Sequence, residues 1–326
     1  MNNLYPIRFK PIPRQMIWGG NRLRNKFNKD FRNDLKIGES WEISAYPGYI
    51  SVVENGHLKG NTIEELVEVY MGDLVGEKIF QRFGLEFPLL IKFIDASEVL
   101  SVQVHPDDET ASLRNNASGK TEMWYVLEAE PDAELISGFR QEVSPGLFME
   151  KLKSGKLLDL LNVEKVNRGD VFFMPAGRVH AIGKGIILAE IQQTSDSTYR
   201  IYDWDRKDPR GKSRELHIEE AMEVIDFNFY DNYKTVVEPR RNNPVLLAEC
   251  QYFTTSLLEL EGTIERDYTL VDSFVIYICT FGEFSLKWRD GATRVKKGDT
   301  LLLPASIGEF ILSGKPDARI LEVYIK

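Results

Sequence analysis

VNRGDVFFMPAGRVHAI, residues 166–182, decides the architecture, because VKKGDTLLLPASIGEFI, residues 295–311, repeats its pattern. Each runs from a basic residue through Gly-Asp into an apolar run and then Pro-Ala. A Gly-Asp turn that feeds a short hydrophobic strand ended by proline is one edge of a β-hairpin. Coincidence between two generic hairpins is the alternative, but the offset of 129 residues equals about one barrel plus insertions. The recurrence therefore predicts two related β units that arose by duplication.

Outward from these hairpins the elements follow in turn. ESWEISAYPGYISVVE at 39–54 reads as strand, Pro-Gly turn, strand. Thr62 and Glu65 form a capping box, and Ile63, Leu66, Val67, Tyr70, Leu74 and Phe80 recur near 3.6, which predicts a helix to about Gly84. FPLLIKFIDA and VLSVQVHP are strand-like; Ser144 before Pro145 opens a second helix, and HIEEAMEVI near 217–225 a third. The charged, Asn- and Pro-rich EPRRNNP at 238–244 reads as a linker, with few helical signals beyond it. The expected fold is mainly β: two jelly-roll barrel units, residues 1–240 with a few attached helices and residues 241–326 without them.

A chain of 326 residues exceeds the roughly 250–300 at which a single core stops growing, in keeping with two units. With 43% hydrophobic and 28% charged residues it is ordinary globular material. No apolar run is long enough to span a bilayer, and the first residues lack the apolar core of a secretion signal, so a cytoplasmic address is expected. Cys250 and Cys279 lie in apolar runs without CxxC spacing and read as small buried hydrophobes. A net charge of −9 argues against nucleic acid and anionic membrane as partners. A small phosphate ester needs only a few local cations.

In VLSVQVHP the strand period places Ser101, Gln103 and His105 on one face and Leu100, Val102 and Val104 on the other, and Pro106 ends the strand with the histidine at a barrel mouth. Glu122 opens the next strand, in GKTEMWYVLEAE, and His180 follows the Pro-Ala-Gly turn of the hairpin quoted above. Singly, a histidine on a strand, a carboxylate and a glutamine are ordinary structural residues. Together Gln103, His105, Glu122 and His180 offer two imidazoles, a carboxylate and an amide oxygen, a set suited to Zn²⁺ or a similar divalent ion. Gly169-x5-Pro175-x-Gly177-x2-His180 matches the second metal signature of the cupin superfamily, and Gln103-x-His105 resembles the first with glutamine in place of one histidine. His57 and His217 read as structural or exposed. Lys92 interrupts the apolar PLLIKFI, where an ammonium is costly unless it faces a polar cavity, an environment that can lower its pKa, or snorkels to the barrel rim. SGKT around Lys120 is no nucleotide P-loop, since Arg114 stands where that motif needs glycine.

With IWGG, QVHPDD, GKTEMWYVLEAE, PAGRVHAI and AEIQQTSDSTYRIYDWDR present in order, the chain resembles the type I mannose-6-phosphate isomerases over essentially its full length, in their short bacterial form. The resemblance implies cupin-type barrels and interconversion of mannose 6-phosphate and fructose 6-phosphate. It implies one zinc per chain on Gln103, His105, Glu122 and His180, with Arg200 in the catalytic pocket. Trp18, Lys92, Ser101, Lys120, Glu190 and Asp196 match pocket positions of the family. The second unit lacks the signature histidine, having Ile307, Gly308 and Glu309 there, so a single metal site in the first unit is expected.

Moving a proton between C1 and C2 needs a base, for which Glu190, Asp196 and Lys92 are the candidates. It also needs a stabilised oxyanion, which a metal provides. Arg200 would serve the enediolate or the phosphate, and Lys120 the phosphate. Two other readings stand beside this one: another cupin metalloenzyme, an epimerase or an iron-dependent oxygenase, and a sugar-phosphate sensor without turnover. The glutamine ligand and the Arg200 segment argue against the oxygenase, and no missing motif points to lost catalysis.

Overall fold

The computed structural model describes residues 4–32, 34–115, 117–207 and 210–326. It is mainly β. A seven-stranded antiparallel sheet runs in the order Ile12–Gly20, Ile37–Ile43, Leu89–Ala96, Ile186–Gln193, Glu122–Ala129, Val171–Met174, Lys234–Thr235. A five-stranded sheet, Tyr199–Tyr202, Val102–Val104, His180–Ile182, Glu134–Phe139 and Leu161–Lys165, closes over it. Side chains of both sheets, among them Trp18, Ile94, Trp124, Leu135, Phe172 and Ile182, form one buried cluster between them.

The period of two decides which residues enter this barrel. Leu89, Ile91 and Phe93 point out of it, as do Met123, Tyr125, Ile187, Ala189 and Ile191, all into a large apolar cluster behind the sheet. The intervening positions, Lys92, Glu122, Trp124, Glu190 and Gln192, therefore face inward. All of them are buried.

The C-terminal unit is a second antiparallel sheet, Val245–Glu249, Thr254–Asp267, Glu309–Tyr324, Val275–Phe281 and Thr300–Leu303, with Glu283–Trp288 and Gly291–Lys296 paired off its side. Its interior is apolar, around Leu258, Val275, Leu286, Leu303 and Phe310. The outer faces of the two units meet: Leu257, Phe274, Ile276, Leu302 and Leu321 share the cluster behind the first sheet. Ile7 pairs with Leu302 through backbone hydrogen bonds of 2.8 and 2.9 Å. EPRRNNP, linker-like in composition, is stitched to the second sheet, where the Asn242 amide N–H donates to the Glu259 carbonyl at 2.7 Å.

The two echoed hairpins share their turn geometry and hydrogen bonds. Gly169 and Gly298 sit at φ 89° and 90°, a region glycine alone enters freely. The Asp170 carboxylate accepts from the Asn167 N–H at 2.8 Å, and the Asp299 carboxylate from the Lys296 N–H at 3.0 Å. Gly169 donates to the Val126 carbonyl and Gly298 to the Cys279 carbonyl, both at 2.8 Å. In register, Met174 opposes Glu122 and Leu303 opposes Val275.

Thr62 and Glu65 do form the capping box, but the helix expected to reach Gly84 is interrupted twice, by a kink inside Ile63–Val75 at Met71 (φ 44°, ψ −126°) and by a break before Glu77–Phe83. Gly76 breaks it at φ 95°, and a Cβ there would lie 2.2 Å from the Asp272 carbonyl oxygen of the C-terminal unit. The Asp272 side chain then caps the second helix, accepting from the Glu77 N–H at 2.7 Å. This break is a tertiary contact, which helical periodicity cannot report. Pro145–Lys153 starts on Ser144 as expected, and Ile218–Val224 forms where the third helix was expected; the short helices Arg22–Phe27 and Asp108–Asn115 were not foreseen. No helix among the described residues is long and apolar enough to cross a membrane.

Candidate metal centre and active site

Three of the four expected ligands converge. His105 Nε2 lies 3.4 Å from one oxygen of Glu122 and His180 Nε2 3.5 Å from the other. Ligand atoms of the three lie within 4.8 Å of one another. Gln103 opposes His180 across the strands Val102–Val104 and His180–Ile182, its amide nitrogen 3.3 Å from His180 Nε2. Each imidazole is aimed by its other nitrogen, His105 Nδ1 at the Ser197 carbonyl and His180 Nδ1 at the Arg178 carbonyl, both at 2.8 Å. Such backbone anchors fix the tautomer and turn Nε2 inward as a ligand atom.

The residues fit a divalent cation. Glu122 Oε1 is buried without a hydrogen-bond partner among the described residues, and a buried carboxylate oxygen left so is costly unless a cation meets it. A half-turn of the Gln103 amide would present its oxygen as the fourth donor. The Lys120 ammonium already answers this pull, 2.5 Å from Glu122 Oε2 and 2.9 Å from His105 Nε2.

Electrostatics favour the protonation states that a metal requires. Burial first, then the neighbouring His105 and Lys120, pushes His180 down to about 3. Burial and Lys120 likewise lower His105. Burial alone would raise Glu122, but Lys120 and the two histidines outweigh it and hold the carboxyl well below its usual range. Neutral imidazoles beside an ionised carboxylate are a ready ligand set.

Beside this cluster opens a cavity of ≈ 260 Å³, lined by the sequence candidates Trp18, Lys92, Ser101, Gln103, Lys120, Glu190, Asp196 and Arg200. Two clefts of ≈ 790 Å³ lie elsewhere. One, at the seam of the units near Arg8 and Asp299, has mixed and paired charges; the other meets the cavity at Asp196.

Lys92 corrects an expectation. It lies 3.2 Å from Glu190 and 3.9 Å from Glu39. Burial would lower its pKa, yet the carboxylates Glu190 and Glu39 outweigh burial and raise it. Lys92 is therefore a fixed cation and a poor base. Indole N–H groups pin both carboxylates, Trp124 donating to Glu190 at 2.9 Å and Trp41 to Glu39 at 2.6 Å.

Arg200 opposes Gln103 in register. Its own N–H donates to His217 Nδ1 at 3.1 Å, while the His217 N–H returns a bond to the Arg200 carbonyl at 2.8 Å. His217, set aside on sequence, is thus structural in a place that matters. Arg200 Nε is buried without a partner among the described residues, and burial, then Arg214, lowers the guanidinium's pKa. Arg214 lines the same cavity, held on Asp203 by a 2.7 Å bond from its Nε.

Glu39 and Arg214 escaped the sequence reading. Glu39 and Trp41 share a strand face in ESWEI, an alternation that could have flagged the pair. Arg214 lies among several charged residues, with no periodicity to single it out.

Two family models match the chain: phosphomannose isomerase type I, catalytic domain, over residues 7–136, and mannose-6-phosphate isomerase, cupin domain, over residues 245–325. The chain is 39% identical to mannose-6-phosphate isomerase ManA of Bacillus subtilis, covering 95% of this chain and 96% of that one. It is 36% identical to mannose-6-phosphate isomerase of Streptococcus mutans, over 95% of each. Among solved structures, a mannose 6-phosphate isomerase from Bacillus subtilis matches at TM-score 0.88 and 34% identity, over 99% of this chain and 100% of the other.

Proposed function

The chain belongs to the type I mannose-6-phosphate isomerase family, the aldose-ketose isomerases, and from that premise we propose how its residues carry the interconversion of mannose 6-phosphate and fructose 6-phosphate. The cation is zinc, one per chain, on Gln103, His105, Glu122 and His180. The orphaned Oε1 of Glu122, facing two inward-turned imidazoles, carries this assignment. Bound there, zinc would supply a Lewis acid toward the sugar's oxygens.

The chain supplies the rest. Glu190, buried at the cavity wall, moves the proton between C1 and C2; Asp196, exposed at the rim, is less shielded from water. Lys92 stays charged and steadies Glu190 and the oxyanion that develops as the proton leaves. Lys120 balances Glu122 and, from the cavity wall, would meet a substrate oxygen. Arg200 and Arg214 face the phosphate, because guanidinium forks match a phosphate's paired oxygens. Trp18 and Ser101 shape the sugar's seat. Residues 1–240 form the catalytic unit and 241–326 its metal-free partner, and the free thiols of Cys250 and Cys279 suit a reducing cytoplasm.

A coupled assay on protein of known metal content tests this reading. Chelation abolishes interconversion and zinc restores it; full turnover in metal-free protein would overturn the assignment.

A further inference from the structure

Among the described residues the C-terminal barrel adds none to the His105, Glu122 and His180 cluster, yet one of its side chains reaches the active-site segment. Tyr252 lies at the turn between the strands Val245–Glu249 and Thr254–Asp267. Its hydroxyl donates to Asp108 Oδ2 at 2.6 Å. The other oxygen of Asp108 accepts from the Gly119 N–H and from Gln193 Nε2, both at 2.8 Å. Gln193 Oε1 in turn accepts from the Thr121 N–H at 2.9 Å. Gly119 and Thr121 flank Lys120, and Glu122 follows. Arg82 holds the same turn in place by donating to the Gln251 carbonyl at 2.9 Å.

We propose that Tyr252 is a positioning residue for the active site, acting through Asp108 and Gln193 on the Gly119–Glu122 backbone. The proposal rests on the reading of Lys120 and Glu122 as site residues. A carboxylate that accepts three hydrogen bonds is fixed in orientation, and it fixes in turn the backbone whose next residues reach the metal cluster. Outer partners of this kind typically govern metal affinity or activity by about 10- to 100-fold. The metal-free barrel is then a working part of the enzyme, not merely a weight that completes the core.

Tyr252→Phe keeps the ring and removes only the hydroxyl. We expect faster hydrogen exchange of the 117–121 backbone in metal-free protein. We also expect zinc affinity, measured by chelator competition, to fall about tenfold, and kcat to fall more than KM rises. Asp108→Asn, which leaves Tyr252 no carboxylate oxygen, should shift all three readouts the same way. Unchanged exchange and unchanged zinc affinity in folded Tyr252→Phe would overturn the link even if the protein isomerises the sugar. Loosened exchange in a protein that fails to isomerise would uphold the link and remove the isomerase reading instead.

Discussion

The two barrels share a turn, a strand register and an inward carboxylate, and they use them in opposite ways. Where the first has Glu122, the second has Val275; where the first has Trp124 over Glu190, the second has Tyr277 over Glu322. Glu190 faces a cavity beside Lys92. Glu322 is sealed in: Arg266 forks onto it with two bonds of 3.0 Å, and the Tyr268 and Tyr277 hydroxyls close around it. The barrels thus differ in whether the inner carboxylate opens on a cavity or is closed into a network, and among the described residues only the first adds a second inner carboxylate, Glu122, with an unpartnered oxygen. A satisfied network rigidifies, whereas an unsatisfied one invites a ligand.

The largest break in this comparison comes from removing an imidazole. His105→Ala and His180→Ala should lose the metal by elemental analysis, and turnover should fall by about 10³-fold or more, the scale of a lost Lewis acid. Arg200→Ala should keep the metal while kcat/KM falls by about 10²-fold, as for a lost oxyanion or phosphate donor. In the other barrel, Glu322→Leu strands Arg266 in a mostly buried site. It should cost about 3 kcal/mol in urea denaturation, with turnover per folded molecule intact.

Acid should separate the barrels as well. His180, depressed from 6.5 to about 3, binds its proton more readily in the unfolded chain, so chelated protein loses stability as pH falls from about 6.5 toward 3. Glu122, also depressed, adds loss below about 4.5. Thermal scans of chelated protein across this range should show the decline, and His180→Gln should flatten its upper part.

The smallest difference lies in the turns. A Cβ on Gly298 would meet the Phe27 carbonyl at 2.5 Å, while one on Gly169 meets only Tyr125 Oη at 4.0 Å. Gly169→Ala should cost about 1–2 kcal/mol from its positive φ alone, and Gly298→Ala measurably more, by denaturant titration.

The residues that converge on the candidate metal site were legible because each is tied to local pattern: Gln103 and His105 to strand alternation ended by Pro106, Glu122 to a strand start, and His180 to the Gly-Asp hairpin. Glu39 was not, because its role depends on pairing with a strand some fifty residues away in the chain, and alternation does not reveal partners. The sign of the Lys92 shift was hidden for the same reason: burial was readable at residue 92, its two carboxylates were not. The helix break at Gly76 came from Asp272, remote in sequence. Local rules gave the parts, and long-range pairing set their charge.

Eleven of the 38 buried residues in the apolar layer behind the first sheet, from Leu247 to Ile325, come after residue 245. A ribosome delivers the N-terminal unit first, yet part of the greasy back of its sheet stays uncovered until the last strands emerge. The nascent chain thus carries a sticky flank for nearly a quarter of its synthesis, and chaperone capture or premature termination would bear on that interval above all.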